Sequence, residues 1–218
     1  MDRFYPDHEI IVVNDGSTDQ TAAQIRNIIK SNPKIALIDN QINRGKGAVV
    51  KQGILSAKGN AILFMDADGS TAIDSLTTLL SHLNSGADVV ISSRRVKGAE
   101  IINEQPTYRI FLGWIFRKIT QWLTHLDIID TQNGFKLFRG NVAKEIFSKV
   151  TINGWAFDVE ALVVANHLGF ICEEVPIVWQ NDSRSKVKLV GMIRMLADLI
   201  RISINLRRGA YDMSRAKL

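Results

Sequence analysis

A chain of 218 residues, 46% apolar and 22% charged, has the make-up of one ordered domain with a sizeable core, which excludes disordered, collagen-like and short-repeat architectures. Its single cysteine, Cys172 in Gly169-Phe170-Ile171-Cys172, excludes an internal disulfide and reads as a packed small residue in a reducing compartment. The net charge of +5 is uneven: nine Lys or Arg against two Asp from Arg184 onward make that end +7 and the remainder −2. A basic end on a near-neutral body points to an anionic partner, phospholipid or nucleic acid; the basic end lacks the interleaved aromatics of a nucleic-acid stacking platform, which disfavours the second.

The opening Met1-Asp2-Arg3-Phe4-Tyr5-Pro6 has no apolar run of signal-peptide length, and nowhere do 18 apolar residues follow one another. The expectation is a chain neither secreted nor membrane-spanning by itself. Glu9-Ile10-Ile11-Val12-Val13 reads as a strand covered on both faces. The turn Asn14-Asp15-Gly16-Ser17-Thr18-Asp19 follows, with side chains able to cap a helix starting near Gln20. Further strands are expected at Ile35 to Ile38, Ala61 to Met65, Asp88 to Ile91, Gly134 to Phe138 and Ile171 to Trp179. Leu76, Leu79, Leu80 and Leu83 mark a helix packed on the sheet. Alternating strands and helices are the α/β signature.

Two segments have a wider apolar face than a core helix needs. From Val187 to Arg208, Gly191, Arg194, Asp198, Arg201, Asn205 and Arg208 form one narrow polar stripe. From Thr107 to Leu126, Arg109, Gly113, Arg117, Gln121 and Thr124 face one way, while Phe111, Trp114, Phe116 and Trp122 cover the others. Cationic edges, tryptophans and a broad apolar face describe helices lying in a bilayer interface. Cover for the sheet, or for a partner in a homo-oligomer, has the same periodicity and stays open as an alternative.

Three polar clusters carry chemistry. Asp66-Ala67-Asp68 follows an apolar strand, and residues two apart on a strand point the same way. Two hard oxygen ligands there make a partial Mg²⁺ or Mn²⁺ site, to be completed by water and phosphate oxygens. The Asn14–Asp19 turn lies at the end of another strand, where ligands of open α/β sheets bind; capping accounts for Ser17 and Asp19 but leaves Asp15 unassigned. Asn43-Arg44-Gly45-Lys46-Gly47 is a glycine-flanked basic loop before a helix expected near Ala48, suited to a diphosphate. It is not a Walker loop, because no Ser or Thr follows Lys46. Trp155 and Phe157 read as core, and four scattered histidines give no basis for a histidine-centred site.

In this order the clusters resemble the family 2 glycosyltransferases of the GT-A fold. The turn is similar to the family's D-G-S-x-D, the basic loop to its N-x-G-K-G, and Asp66-Ala67-Asp68 to its metal motif. Asp130-Thr131-Gln132-Asn133-Gly134-Phe135-Lys136-Leu137-Phe138, Trp155-Ala156-Phe157-Asp158-Val159-Glu160, Glu174-Val175-Pro176-Ile177 and Ser185-Lys186-Val187 resemble the dolichyl-phosphate β-glucosyltransferase branch. The resemblance covers roughly residues 9 to 205, and an ordered set is far more specific than any single motif.

The resemblance implies a GT-A α/β fold: a mixed, mainly parallel sheet with helices on both faces plus interfacial helices. Residues 1–186 would form the catalytic domain, with 187–218 an amphipathic basic end of the same domain. Asp15 would contact uridine and Lys46 the diphosphate; Asp66 and Asp68 would hold Mg²⁺ or Mn²⁺. Arg94 and Arg109 would receive a lipid phosphate, while Asp130, Gln132 and Asp158 would line the sugar pocket. Arg184, Ser185 and Lys186 would form a loop closing over both phosphates, with Asp158 and Lys186 counted as catalytic beside the metal pair. The expected activity is inverting transfer of a hexose, glucose from UDP-glucose, onto dolichyl or polyprenyl phosphate at the cytoplasmic face of a membrane. The alternatives are a GDP-mannose donor, or a non-catalytic member that binds a membrane or partner through its amphipathic helices. The family's opening apolar strand, in the middle of its sheet, is not found among the eight residues before Glu9, so an N-terminally incomplete fold is expected.

Overall fold

The computed structural model describes residue 5 and residues 7–102, 107–180 and 189–212. The strands are β1 (Ile10–Asp15), β2 (Ile35–Asn40), β3 (Ala61–Met65), β4 (Val89–Ser93), β5 (Glu100–Ile102), β6 (Phe135–Arg139), β7 (Cys172–Pro176) and β8 (Val178–Gln180). The helices are α1 (Thr21–Ser31), α2 (Lys46–Ser56), α3 (Leu76–Asn84), α4 (Thr107–Thr124), α5 (Gly140–Lys149), α6 (Phe157–His167) and α7 (Leu189–Arg207), with a 3₁₀ turn at Ile73–Ser75 leading into α3.

The central sheet has the order β3-β6-β4-β7, with β6 antiparallel to both neighbours and β7 parallel to β4. All five residues of β4 are buried, as expected for a strand paired on both edges and covered on both faces. Strand alternation sorts its side chains. Val89 and Ile91, with Phe138 of β6, join a core built under α5 and α6; Val90, Phe135 and Leu137 pack against Leu76, Leu79 and Leu83 of α3 on the opposite face. Both sequence patterns that marked this layer, the apolar run of β4 and the leucine repeat of α3, meet here.

Parallel pairs β1-β2 and β5-β8 stand apart from that sheet. Helix α2 packs on both β1 and β3, and the Glu9 carboxylate before β1 accepts backbone N–H bonds from Lys58 (2.5 Å) and Gly59 (3.2 Å) before β3. Among the described residues β1 nevertheless pairs with β2 alone and β3 with β6 alone. Four of the six residues of β1 are apolar and only half buried, in contrast to β4.

The stretch expected as one strand from Ile171 to Trp179 is two. Pro176 has no N–H to continue a ladder; the chain leaves β4 there, and β8 pairs with β5 instead. That switch brings Trp179 into an isolated bridge with Thr71 and lets Gln180 N–H donate to the Ser70 carbonyl at 2.9 Å. The segment after Asp68 is thereby fixed. Burial holds the Cys172 thiol up at about 12, with Asp88 adding to the effect, in keeping with its reading as a packing residue.

Helices α4 and α7 pack on each other, and α7 also packs on α6. Phe116 of α4 and Met195, Leu199 and Ile202 of α7 enter the core. Much of the remaining apolar surface faces outward: Phe111, Trp114 and Trp122 of α4 and Ile193 and Ile200 of α7 are exposed.

Candidate active site

The site begins where β1 ends. Asp15 accepts hydrogen bonds from the backbone N–H groups of Arg44 (2.6 Å) and Gly45 (3.1 Å), and Asn43 Nδ2 donates to the Asp15 carbonyl at 3.2 Å. The residue that capping left unassigned therefore pins the basic loop, through contacts distant in sequence. Gly45 has φ +93°, and a Cβ there would stand 2.5 Å from the Asn153 carbonyl oxygen; only glycine allows both the backbone and the approach. That carbonyl accepts the Gly47 N–H at 2.8 Å, so α2 starts at Lys46, two residues earlier than expected.

Lys46, the first residue of α2, places Nζ 2.8 Å from Asp66 Oδ1 and 4.8 Å from the Trp155 ring centroid. The core assignment of Trp155 is corrected: its indole is 41% exposed beside Lys46, whereas Phe157 is 1% exposed and does belong to the core. The main chain turns into α6 between the two, which sends their side chains to different surroundings.

Strand β3 ends at Met65, so Asp66 and Asp68 lie in the turn beyond the strand and not on it. They face one cleft all the same. Asp66 N–H donates to the Gly134 carbonyl at 2.8 Å, and a Cβ on Gly134 would overlap the Asp66 carboxylate. Asp68 Oδ1 accepts the Ser70 N–H at 2.9 Å. Asp66, Asp68, Arg94, Gln132, Asn133 and Trp179 line this cleft of about 90 Å³. Among the described residues no cluster of three or more acidic, His or Cys side chains forms a metal cage. Two carboxylates fit a Mg²⁺ or Mn²⁺ that keeps water and phosphate oxygens in its shell, and Asp66 is paired with the cationic side chain of Lys46.

Arg94, which also lines the cleft, is bound to Asp130. Arg94 Nε donates to Oδ2 (2.8 Å), Nη2 to Oδ1 (2.7 Å) and the Arg94 backbone N–H to Oδ2 (2.9 Å). Glu174 sets Asp130 in place by accepting the backbone N–H groups of Ile129 (2.7 Å) and Asp130 (2.9 Å). Burial opposes the Asp130 charge, but hydrogen bonds and charge from Arg94 outweigh it and hold the carboxyl below its ordinary range. Burial likewise opposes the Arg94 charge, and Asp130 raises the guanidinium above its usual value in spite of it. The guanidinium lies over the Trp179 ring at 5.0 Å.

Asp158, in the first turn of α6, is 4% exposed and accepts a 2.7 Å hydrogen bond from buried Lys136. Burial pushes its carboxyl up, and Lys136 and Lys46 offset part of that. Its carboxylate sits in the wall beneath the site. Lys136 was missed by sequence reasoning, although a lysine inside the apolar run Phe135–Phe138 signals a buried partner. Trp179 and Asn133 were missed as lining residues because a strand switch and a turn deliver them. Arg109 lies in the first turn of α4, its side chain outside the described residues, as are Arg184, Ser185 and Lys186.

The glycosyl transferase family 2 model matches residues 1–147. The chain is similar to dolichyl-phosphate beta-glucosyltransferase ALG5C of Trichomonas vaginalis, at 41% identity over 94% of this chain and 62% of that protein. It is also similar to the dolichyl-phosphate beta-glucosyltransferase of Mus musculus, at 34% identity over 96% of this chain and 68% of that protein. The chain spans less than two thirds of the length of the Trichomonas relative. Among solved structures it is similar to glucosyl-3-phosphoglycerate synthase from Mycobacterium tuberculosis in complex with Mn²⁺, UDP and phosphoglyceric acid, with a TM-score of 0.62, 15% identity and coverage of 95% of this chain and 69% of that one. Mannosyl-3-phosphoglycerate synthase from Rubrobacter xylanophilus gives the same TM-score at 16% identity, over 96% of this chain and 66% of that one. These two likenesses carry the fold, and it is the expected GT-A type. Asp15, Lys46, Asp66, Asp68, Arg94, Gln132 and Asn133 fall inside the matched segment, with Trp179 beyond it, and the chain belongs to glycosyl transferase family 2.

Proposed function

We propose that this chain transfers a hexose, glucose from UDP-glucose, to a dolichyl or other polyprenyl phosphate. The observation that carries the reading is one cleft lined by a carboxylate pair, Asp66 and Asp68, and by Arg94, with Lys46 bound to Asp66. A nucleoside diphosphate needs cations at the leaving group, and an anionic acceptor needs a cation to approach it. The similarity to proteins named dolichyl-phosphate beta-glucosyltransferase adds the choice of glucose and lipid.

Asp66 and Asp68 would hold Mg²⁺ or Mn²⁺, which when bound stabilises the charge developing on the departing nucleotide. Lys46 binds the diphosphate at the start of α2, where the helix end adds partial positive charge. Asp15 keeps that loop in register and lies toward the uridine. Arg94, held by Asp130, orients the acceptor phosphate, and Gln132 lines the hexose. A phosphomonoester with a second pKa of about 6 is already an anion near neutral pH, so no strong general base is required. Catalysis then consists of positioning two anions and offsetting their repulsion. Asp158 contributes by holding Lys136 in place through their hydrogen bond. Arg109, Arg184, Ser185 and Lys186 complete the phosphate contacts in this reading.

Among the described residues no helix is long and apolar enough to cross a membrane. The exposed Phe111, Trp114 and Trp122 of α4, with Ile193 and Ile200 of α7, suit a helix pair lying in the interface of a cytoplasmic membrane face, where a polyprenyl phosphate is presented.

The test is label transfer from radioactive UDP-glucose to organic-extractable lipid in liposomes containing polyprenyl phosphate and Mn²⁺, with Asp68→Ala as control and GDP-mannose as rival donor. Transfer by the wild type alone supports the reading; a folded wild type that leaves all label in the aqueous phase refutes it. The separation of β1 from β3 favours a second reading, a non-catalytic member that binds membranes through α4 and α7. Liposome binding without nucleotide binding would establish that one.

A further inference from the structure

The Gln132-Asn133-Gly134 turn holds a polar atom with no use in the fold. Asn133 is 3% exposed, and its amide nitrogen Nδ2 is buried with no hydrogen-bond partner among the described residues. Buried donors are satisfied in the great majority of native structures, and an exception asks for a reason. Several polar groups nearby are engaged: the Asn133 carbonyl and Asp158 share Lys136, and Gly134 O receives Asp66 N–H. The unpaired group belongs to a residue that lines the cleft together with Asp66, Asp68 and Arg94.

The chemistry of the lining is mixed. The carboxylates Asp66 and Asp68, the guanidinium of Arg94 and two neutral carboxamides, Gln132 and Asn133, line the cleft, with Lys46 paired to Asp66. A neutral donor without a partner is poorly matched to a metal and well matched to a hydroxyl oxygen. We propose that Asn133 is a specificity-determining residue whose Nδ2 donates a hydrogen bond to one hydroxyl of the neutral polyhydroxylated ring carried by the donor. This inference rests on the hexosyl-transfer reading of the same cleft. Nδ2 is buried, so water competes poorly for the bond. A site that depends on such a bond rejects the analogue lacking its partner, because the donor is then left unpaired.

The experiment is calorimetric titration in the presence of Mn²⁺ of wild type, Asn133→Ala and the volume-keeping Asn133→Leu with UDP and with UDP-glucose. The expected result is UDP affinity within about twofold of wild type for both variants and a loss of about tenfold for UDP-glucose, equivalent to about 1.4 kcal/mol. A panel of singly deoxygenated UDP-glucose analogues supplies a second readout that needs no variant to fold. One position should cost the wild type about tenfold. Equal losses for UDP and UDP-glucose, or no loss for either, overturn the proposal, as does a wild type indifferent to every deoxygenation. A folded wild type that binds neither UDP nor UDP-glucose overturns the hexosyl-transfer reading along with it.

Discussion

Lys46 Nζ rests 2.8 Å from Asp66 Oδ1, so the basic loop and the acidic turn, twenty residues apart in sequence, neutralise each other across the site. The pair keeps partial contact with water, and such pairs contribute about 1 kcal/mol or less. Its importance is as a competition: a divalent ion at Asp66 and a diphosphate at Lys46 each gain when the other partner lets go. Lys46→Met should therefore strengthen Mn²⁺ binding in the absence of nucleotide, by up to about fivefold at 1 kcal/mol, while weakening UDP binding by tenfold or more, since charge-assisted phosphate contacts are worth about 1.5–3 kcal/mol. Titrations of Mn²⁺ alone and of UDP with Mn²⁺ read the two effects separately, and changes in the same direction would contradict the competition.

Gly134 is the floor under Asp66. Adding one methyl in Gly134→Ala forces the carboxylate aside, and overpacking of this kind costs about 1–3 kcal/mol. The expected outcome is a lower melting temperature and a loss of Mn²⁺ affinity of tenfold or more, with α-helical circular dichroism retained. Unchanged Mn²⁺ affinity would mean that Asp66 does not need its present seat.

The Arg94–Asp130 pair gives the cleft a pH dependence with a definite sign. Because the folded-state pKa of Asp130 is depressed, its contribution to stability is fully present above the unfolded value of about 3.9 and is lost as pH falls through the lower folded value. Asp130→Asn should cost about 2–5 kcal/mol near neutral pH, toward the lower end because Arg94 keeps one edge in water. It should also flatten the decline of stability below about pH 4. Urea unfolding between pH 7 and pH 2.5 measures both; an unaltered acid slope would assign the dependence to other carboxylates.

Glu160, the last residue of the Trp155–Glu160 motif, is fully buried and accepts four hydrogen bonds: from Thr151 N–H and Oγ1, Ile152 N–H and the Tyr211 hydroxyl. Glu160→Ala leaves four donors without their acceptor, each worth about 1–3 kcal/mol if it stays buried, and is expected to unfold the protein at physiological temperature. Tyr211→Phe, which gives up the bond to Glu160 and a longer one from Asn205 Nδ2, should cost about 1–3 kcal/mol and leave UDP binding unchanged. Chemical denaturation of the two variants compares them directly.

What the sequence made readable was whatever is local. The apolar run of β4, the leucine repeat of α3 and the turn after β1 each follow from a period or a capping pattern within a few residues. The expected helix from Thr107 ended two residues early at Thr124, and the one from Val187 corresponds to α7 within the described residues. What stayed hidden depends on the partner across the fold. Asp15 takes its hydrogen bonds from Arg44 and Gly45, Arg94 and Asp130 satisfy each other, and Lys136 explains Asp158. Trp155 was misjudged because a tryptophan beside buried residues looks apolar in one dimension, whereas here the turn into α6 aims it at Lys46.

The measurement closest to the central claim is capture of Mn²⁺, followed by electron paramagnetic resonance, with and without UDP-glucose, in wild type, Asp66→Asn and Asp68→Asn. The account predicts that UDP-glucose tightens Mn²⁺ binding to the wild type at least tenfold and that either substitution abolishes this coupling. Equal Mn²⁺ binding in all three proteins, indifferent to the nucleotide sugar, would contradict it.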